Sequence, residues 1–442
     1  MKKILSKPLL FYLRIIAKIQ LRKINPVIIG IGGASGKTSL SQITYQILST
    51  KYKVKQSKGK NSESGIPLSI LGIEPESYKF ADWLKICITG PLKLITNWEK
   101  YDYYIAEMGI DGPHPPKNME YLLKIVRPKI GALTNMLIEH SLYFDSLAIN
   151  EKLEERKSEI LGEIAKQERL LLSSIGESGR SILNLDDQYI ASLLPLRSKT
   201  ITLSEKNKNA DFYIVSSKIE DNSFLIKFIF LKDEYLVKVP HPLPRYYSMT
   251  IMMALAIAFS CGLSIKQSIG ALINNFSLPP GRFGVFTGIK KSTILDSSYN
   301  SSLESAFGAL NALRDIANGR RKVAILGDMR ELGTLSQIQH ELLAKEVLKS
   351  SDFAILIGPL MQKFVAPALR NANFNFLTFG TFKDAKESII SSIRREDVVL
   401  VKGSQYTLFL ERAVEILLTD KNDRDKLCRR GSFWDKKRKE TP

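Results

Sequence analysis

Cysteine is scarce in this chain of 442 residues, which contains only Cys87, Cys261 and Cys428. The three lie far apart, and neither a CxxC pair nor a Cys/His spacing typical of metal ligands accompanies them. This scarcity argues against a disulfide framework and against a zinc site. We therefore expect a protein of the reducing cytoplasm.

The N-terminus lacks an uninterrupted hydrophobic run. Residues 1–23 are apolar and basic, but Arg14, Lys18 and Arg22 recur at helical spacing, and no small-residue cleavage site follows. A signal peptide and a transmembrane span are both disfavoured. The pattern predicts an amphipathic helix, for which two interpretations stay open: the helix lies on an anionic membrane surface at the inner face, or it packs on the body of the protein.

Acidic residues are outnumbered, with 45 Asp and Glu against 64 Lys and Arg and a net charge of +19. This excess favours polyanionic partners such as nucleotides, nucleic acid or an anionic membrane, although an ordinary basic surface explains it equally well. No helix-turn-helix, RNP or zinc motif is present, so no nucleic acid partner is expected.

The chain is long enough for two or three domains, and from residue 27 onward strand and helix patterns alternate. An alternation of this kind predicts an α/β fold with parallel sheets covered by helices. Antiparallel strands are expected over 199–240 and a helix over 247–260. Further strands are predicted at 27–31, 103–106, 130–134, 170–173, 293–296, 322–326, 353–357 and 398–401.

A turn cluster around residues 279–283 separates two such series. We predict a central domain with a parallel sheet over 24–280 and a C-terminal Rossmann-like α/β domain over 281–420. The helix 1–23 precedes them. A charged tail, 421–442, follows and is expected to be a solvated, partly ordered terminus.

A glycine-rich turn follows the first predicted strand, where residues 30–39 read GIGGASGKTS. Backbone N–H groups of such a turn, with the N-terminus of the next helix, hold phosphate oxygens; Lys37 can reach the terminal phosphates and Thr38 can ligate magnesium. Ile31 stands where the strict P-loop pattern requires glycine, but the strand before and the helix after argue against a chance turn. The predicted nucleotide-binding residues are Gly33, Ser35, Gly36, Lys37, Thr38 and Ser39.

The variant pattern GxxGxxGK[ST] fits this turn, and further motifs follow in a fixed order. They are Glu107-Met-Gly109, Thr134-Asn135 with His140, Lys157-Ser-Glu159, Asp296-Ser-Ser-Tyr-Asn300 and the LGDMRELG segment at 326–333. With them the chain resembles the Mur ligases over roughly residues 24–420. Within that family it looks most like the branch that adds D-alanyl-D-alanine to a UDP-N-acetylmuramoyl-tripeptide.

The resemblance implies an ATP-dependent ligase of peptidoglycan precursor synthesis, which joins a carboxylate to an amine through an acyl phosphate. Lys37, Glu107, His140 and Lys157 would be the catalytic residues. Two magnesium ions are implied, one held by Thr38 and Glu107 and the other by His140 and a carbamylated Lys157. For Lys157 a solvated charge on a helix face is the alternative.

On the nucleotide side, the resemblance implies that Asn135, Arg282, Asp296, Tyr299 and Asn300 face ATP. Lys402 would meet the transferring phosphate when the C-terminal domain closes over the phosphate loop and excludes water. Asn184, Asp186 and Asp187 form a matching loop, for which a plain turn is the simpler interpretation.

Typical members begin with a separate domain that binds the UDP moiety, whereas about two dozen residues precede the first strand here. We therefore expect the chain to lack that domain, and the helix 1–23 could instead hold it near membrane-bound precursors. Two alternatives remain: a ligase for another carboxylate and amine, and a nucleotide-binding scaffold without ligase activity. The metal-site residues argue against a scaffold.

Overall fold

The computed structural model describes residues 2–75, 80–138, 141–404 and 408–441, with the backbone alone at 2–6 and 80–81. Two sheets, one of nine strands and one of six, form the centres of two domains. Helices cover both sheets. The predicted α/β class is thus confirmed.

The sheet of the first domain has the order β2-β3-β1-β4-β5-β6-β7-β8-β9. Neighbours pair in parallel from β2 to β7, and β7, β8 and β9 pair antiparallel. The antiparallel strands predicted over 199–240 are thus confirmed for β7 to β9, whereas β6, at the start of that range, is parallel to both neighbours. The strands are β1 (Val27–Gly32), β2 (Val54–Gln56), β3 (Tyr103–Glu107), β4 (Ile130–Leu133), β5 (Arg180–Asn184), β6 (Lys199–Ser204), β7 (Phe212–Glu220), β8 (Ser223–Phe230) and β9 (Asp233–Val239).

The strand β1 lies between β3 and β4, so the turn that follows it emerges at the carboxyl edge of the sheet. The helix α2 follows that turn and buries Leu40, Ile43 and Ile47 completely. The helices of this domain are α1 (Lys2–Ile24), α2 (Lys37–Leu48), α3 (Gly65–Leu71), α4 (Phe80–Thr96), α5 (Met119–Leu123), α6 (Leu153–Ser173), α7 (Gln188–Ala191), α8 (Tyr247–Ser260) and α9 (Ile265–Asn275).

The sheet of the second domain has the order β10-β11-β15-β12-β13-β14, and all its pairs are parallel except β10 with β11. This is the Rossmann-like arrangement that the sequence predicts. Its strands are β10 (Gly284–Thr287), β11 (Thr293–Ser297), β12 (Lys322–Gly327), β13 (Phe353–Ile357), β14 (Phe376–Phe379) and β15 (Val398–Lys402). Its helices are α10 (Leu303–Ala317), α11 (Ser336–Ser350), α12 (Ala366–Asn371), α13 (Phe382–Ser392), α14 (Glu411–Leu417) and α15 (Ser432–Glu440).

The strand predicted at residues 170–173 is wrong, because these residues form the last turn of α6. Leu171 and Leu172 are buried there, and the next strand in the chain is β5, a few residues later, which pairs with β4. A short apolar run has the same appearance in a buried strand and at the buried end of a helix, so periodicity does not separate the two.

The prediction of a solvated terminus holds for residues 421–426, which are mostly exposed, and is wrong for part of the segment that follows. Leu427, Cys428, Arg429 and Arg438 are buried against the second domain. Arg429 forms an ion pair with the buried Glu411 of α14, with 2.8 Å between Nη1 and Oε2. Charge in a sequence suggests exposure, whereas here opposite charges meet inside the fold.

The amphipathic helix predicted over 1–23 is confirmed as α1. One face, with Leu13, Ile16 and Ala17, is buried against α3 and α4. Within the described ranges, no helix combines the length and the apolar character needed to cross a bilayer.

Candidate active site

The turn between β1 and α2 is held by Asn135, the second residue after β4. The backbone N–H of Ala34 donates to the carbonyl of Asn135, and that of Ser35 donates to its Oδ1, each over 2.9 Å. Gly33 has φ of +104°, and a Cβ there would lie 2.3 Å from Thr134 Oγ1. Glycine is therefore required at this position, and the loop has the form of a phosphate cradle.

Lys37 and Glu168 support the loop from within. Lys37 Nζ donates to the carbonyls of Gly33 and Ala34 over 2.5 and 2.6 Å, and Gly33 N–H donates to Glu168 Oε2 over 2.9 Å. Burial raises the pKa of Glu168 to about 7, against the opposing effects of Lys37 and the Gly33 N–H. The ammonium group of Lys37 is thus held at the loop where phosphates would bind.

Glu107 lies at the end of β3, directly beside the loop, and is almost completely buried. Its Oε2 accepts from Thr38 Oγ1 over 2.9 Å, and its Oε1 accepts from Gly59 N–H over 3.2 Å. Among the described side chains it forms no ion pair. A carboxylate and a hydroxyl that already touch are oxygen donors of the kind that Mg²⁺ prefers.

Arg282 of the second domain reaches this pair, with Nη2 3.4 Å from Thr38 Oγ1. Its guanidinium stacks 4.5 Å from the ring centre of Tyr299. Tyr247, at the start of α8, bridges the two sides: its hydroxyl donates to the Arg282 carbonyl over 3.1 Å and lies 3.2 Å from Ser39 Oγ. The second domain therefore contacts the phosphate loop directly.

Lys402 ends β15 at the opposite wall, where its Nζ donates to the Asn300 carbonyl over 2.9 Å. Asp296 is fully buried and does not line the cleft. Its Oδ1 accepts from the hydroxyl of Ser298 over 2.6 Å, and burial raises its pKa to about 6. Asp296 therefore shapes the turn that carries Tyr299 and Asn300, and does not face the cleft itself.

A cleft of about 470 Å³ lies between the two domains. A second cavity of about 320 Å³ adjoins it, shares Ser35 and Gly36 with it, and is lined partly by Asn135, Met249 and Met253. Both cavities therefore open on the phosphate loop. The larger cleft is lined by Ser35, Gly36, Lys37, Thr38, Ser39, Lys60, Asn61, Asp111, Arg282, Tyr299, Asn300 and Lys402, among others.

The sequence predicts His140 and Lys157 as ligands of a second metal ion. His140 lies outside the described residues. Lys157 is half-buried in the first turns of α6 and is not among the residues that line the cleft. In the described part of the chain, no group of three or more His, Cys, Asp or Glu residues is arranged to hold a metal ion.

The sequence did not predict roles for Tyr247, Glu168 or Arg429. Arg429 donates from Nη2 to the Tyr299 carbonyl, and its guanidinium lies 5.1 Å from the centre of that ring. Glu168 offered one signal, since it lies near Ile164, Leu171 and Leu172 on the buried face of α6. An acidic residue on an apolar face usually has a buried partner. The loop residues Asn184, Asp186 and Asp187 serve as a turn and a helix cap.

A phosphate loop at a cleft between two α/β domains defines the class of a nucleotide-binding protein. Two family models match the chain: Mur ligase middle domain over residues 31–258, and Mur ligase, glutamate ligase domain over residues 281–405. The first alone matches about half of the chain. The chain belongs to the Mur ligase family.

Similar curated proteins carry the name UDP-N-acetylmuramoyl-tripeptide–D-alanyl-D-alanine ligase. The protein from Escherichia coli (strain K12) is 26% identical over 318 residues, which are 71% of this chain and 60% of that protein. The protein from Borreliella burgdorferi is 25% identical over 420 residues, 93% of this chain and 79% of that protein. The chain thus spans between three fifths and four fifths of the length of these two relatives.

Solved structures have the same fold. MurF from Acinetobacter baumannii superposes with a TM-score of 0.73 at 18% identity, over 92% of this chain and 80% of that one. MurF from Thermotoga maritima in complex with ADP superposes with a TM-score of 0.70 at 21% identity, over 98% and 85%.

Proposed function

We propose that this chain is an ATP-dependent, ADP-forming ligase that adds D-alanyl-D-alanine to a UDP-N-acetylmuramoyl-tripeptide through an acyl phosphate. One observation carries the proposal: Thr38 of the phosphate loop, which donates to Glu107, is contacted by Arg282 of the second domain at the cleft that Lys37 also lines. The names of the similar proteins supply the substrates.

The residues at the loop fit ATP and magnesium. The carboxylate of Glu107 and the hydroxyl of Thr38 would hold Mg²⁺, and the loop N–H groups with Lys37 would hold the phosphates. When bound, the cation supplies charge neutralisation as the γ-phosphoryl group moves to the substrate carboxylate. Asn135, Tyr299 and Asn300 would contact the nucleoside.

The chain's own residues then have separate tasks. Lys37, Arg282 and Lys402 concentrate positive charge where the phosphoryl group transfers, which stabilises the developing negative charge. The contact between the two domains keeps water from the acyl phosphate until the amine attacks. Amide formation then releases phosphate.

For the second metal ion we propose His140 and a carbamylated Lys157. Carbamylation would turn the ammonium group of Lys157 into an anionic oxygen ligand. Lys157→Ala should lose activity and regain part of it when a short carboxylic acid is added, whereas Lys166→Ala on the exposed side of the same helix should remain active. If the added acid restores no activity, Lys157 does not act as a carbamylated metal ligand.

The activity is tested by phosphate release from ATP and magnesium with UDP-N-acetylmuramoyl-tripeptide, in the presence and absence of D-alanyl-D-alanine. Ligation should require both substrates, and the product should appear in the mass spectrum. Lys37→Ala should lower the rate by about two orders of magnitude or more, since it removes a charge at the phosphates. Lys51→Ala is the matched control, because this exposed lysine follows the opposite end of α2.

Phosphate release with a different carboxylate and amine, such as another muramyl peptide, a folate or a polyamino acid, would show that the protein is a ligase for other substrates. Tight ATP binding without turnover on any pair would overturn the proposal in favour of a nucleotide-binding scaffold.

We propose a domain boundary near residue 281, with residues 421–441 belonging to the second domain. Since ATP is a cytoplasmic substrate, we also propose that the protein works in the cytoplasm, with residues 1–23 in peripheral contact with the inner face of the membrane.

A further inference from the structure

The helices α1 and α4 lie side by side and run in the same direction. Tyr12 OH donates to the Cys87 carbonyl over 2.7 Å, and Lys23 Nζ donates to the Leu94 carbonyl over 2.7 Å. Middle residues of α1 thus meet middle residues of α4, and late residues meet late ones. Near the end of the pair, Gln20 Nε2 donates to the Asn97 carbonyl over 3.0 Å.

Each helix also carries a stripe of exposed apolar side chains beside this seam. On α1 the stripe is Phe11, Ile15 and Ile19, and on α4 it is Leu84, Ile88, Leu92 and Ile95. These side chains are between 41% and 69% exposed. A soluble monomer rarely exposes so large a contiguous group, so the face requires an explanation.

The two stripes point to the same side of the helix pair. On α1 Phe11 precedes the seam residue Tyr12; on α4 Ile88 follows Cys87 and Ile95 follows Leu94. Successive residues of a helix turn by about 100° in a fixed sense, so between parallel helices these two offsets point the same way. The opposite side, with Leu13 and Ile86, is buried against the body.

A row of positive charge borders the apolar face. Arg14, Lys18 and Arg22 follow one another at helical spacing on α1, which contains no acidic residue. Burial, together with the nearby charges of Arg127, Arg14 and Arg22, lowers the pKa of Lys18. The positive charges are thus close enough to act on one another, and an anionic surface would relieve their repulsion.

We propose that this α1–α4 face, formed by the two stripes and the bordering cations, docks on the surface of a membrane that contains anionic lipids. Aliphatic side chains beside a cationic row match hydrocarbon beneath anionic head groups. Trp98 strengthens the match, because it is 69% exposed at the end of the pair and Lys23 Nζ lies 3.6 Å from its ring centre. Tryptophan favours the boundary between hydrocarbon and head groups.

The test is co-sedimentation of the full chain with vesicles of phosphatidylcholine, and with vesicles in which phosphatidylglycerol replaces part of it. Wild type should bind the anionic vesicles, with a blue shift of tryptophan emission that Trp98→Phe removes. The double variant Ile88→Ser/Ile95→Ser should lower the partition constant by about tenfold or more. Lys18→Gln/Arg22→Gln should remove the preference for anionic vesicles.

The matched control is Val215→Ser/Leu236→Ser, which removes two exposed apolar side chains from β7 and β9 and should bind as wild type does. An unchanged thermal unfolding midpoint shows that each variant folds. Equal binding of the Ile88/Ile95 variant and wild type would overturn the proposal. The proposal would also be overturned if wild type binds no vesicles but self-associates, and the Ile88/Ile95 variant does not self-associate. The face would then bind a second copy of the chain. Neither readout depends on ligase activity.

Discussion

Thr334 of the second domain donates its hydroxyl hydrogen bond to Asp145 of the first, with 2.8 Å between Oγ1 and Oδ1. Arg156 holds the same carboxylate from the other side, over 2.9 Å. Burial opposes ionisation of Asp145, but the hydrogen bonds from Thr334 and Arg156 outweigh it and lower the pKa. The two domains are therefore joined at this point by a carboxylate that stays charged at neutral pH.

Gly333→Ala should disrupt this contact. Gly333 has φ of +54°, and a Cβ there would lie 2.8 Å from Asp145 Oδ2 and 3.3 Å from the backbone of Leu142. We expect kcat/KM for ATP to fall by about tenfold or more, because the domains would be misplaced relative to each other. Small-angle scattering should show a larger radius of gyration.

Gly319→Ala is the control for that change. Gly319 also has a positive φ, of +84°, but a Cβ there would meet nothing within 4 Å. It therefore carries the same kind of backbone strain without the clash between domains. If both variants lose activity equally, the effect comes from strain and the contact has no role in closure.

Glu107→Gln should raise the magnesium concentration needed for half-maximal turnover by about tenfold or more. Glutamine keeps the size of the side chain and can still accept from Thr38, but it lacks the negative charge that a hard cation requires. Glu120→Gln, at an exposed carboxylate on α5, should leave the magnesium titration unchanged. An unchanged titration for Glu107→Gln would remove Glu107 from the metal site.

Glu168→Gln should change how stability depends on pH. The pKa of Glu168 is raised from 4.5 to about 7, so the native state keeps a proton that the unfolded chain releases. Stability from this group is therefore present below about pH 4.5 and is lost as pH rises to about 7. The difference in unfolding midpoint, variant minus wild type, should increase with pH across this window and then level off. A difference that stays constant with pH would contradict the prediction.

Arg429→Met should destabilise the second domain by about 3 kcal/mol, because it leaves the buried Glu411 without its closest partner. Adding Glu411→Leu should restore part of the loss, which urea unfolding would measure. Arg424→Met, at an exposed arginine of the same segment, should have little effect. If the double variant is no more stable than the single one, the pair does not account for the loss.

The elements that depend on consecutive residues were predicted correctly from the sequence. The strand β1, the loop with Lys37 and Thr38, and the helix α8 each follow from consecutive residues, and the structure confirms these elements. Residues 170–173 failed because a short apolar run does not distinguish strand from helix. Glu168 and Arg429 were missed because their partners, Gly33 and Tyr299, are distant in sequence and meet them only in the folded chain.

The segment that follows α14 supports the cleft from a distance in sequence. Arg429 donates to the backbone carbonyl of Tyr299, so one wall of the cleft rests on a residue 130 positions further along the chain. A change in this segment, which lines no part of the cleft itself, should therefore alter the position of the Tyr299 ring and be measurable as weaker nucleotide binding.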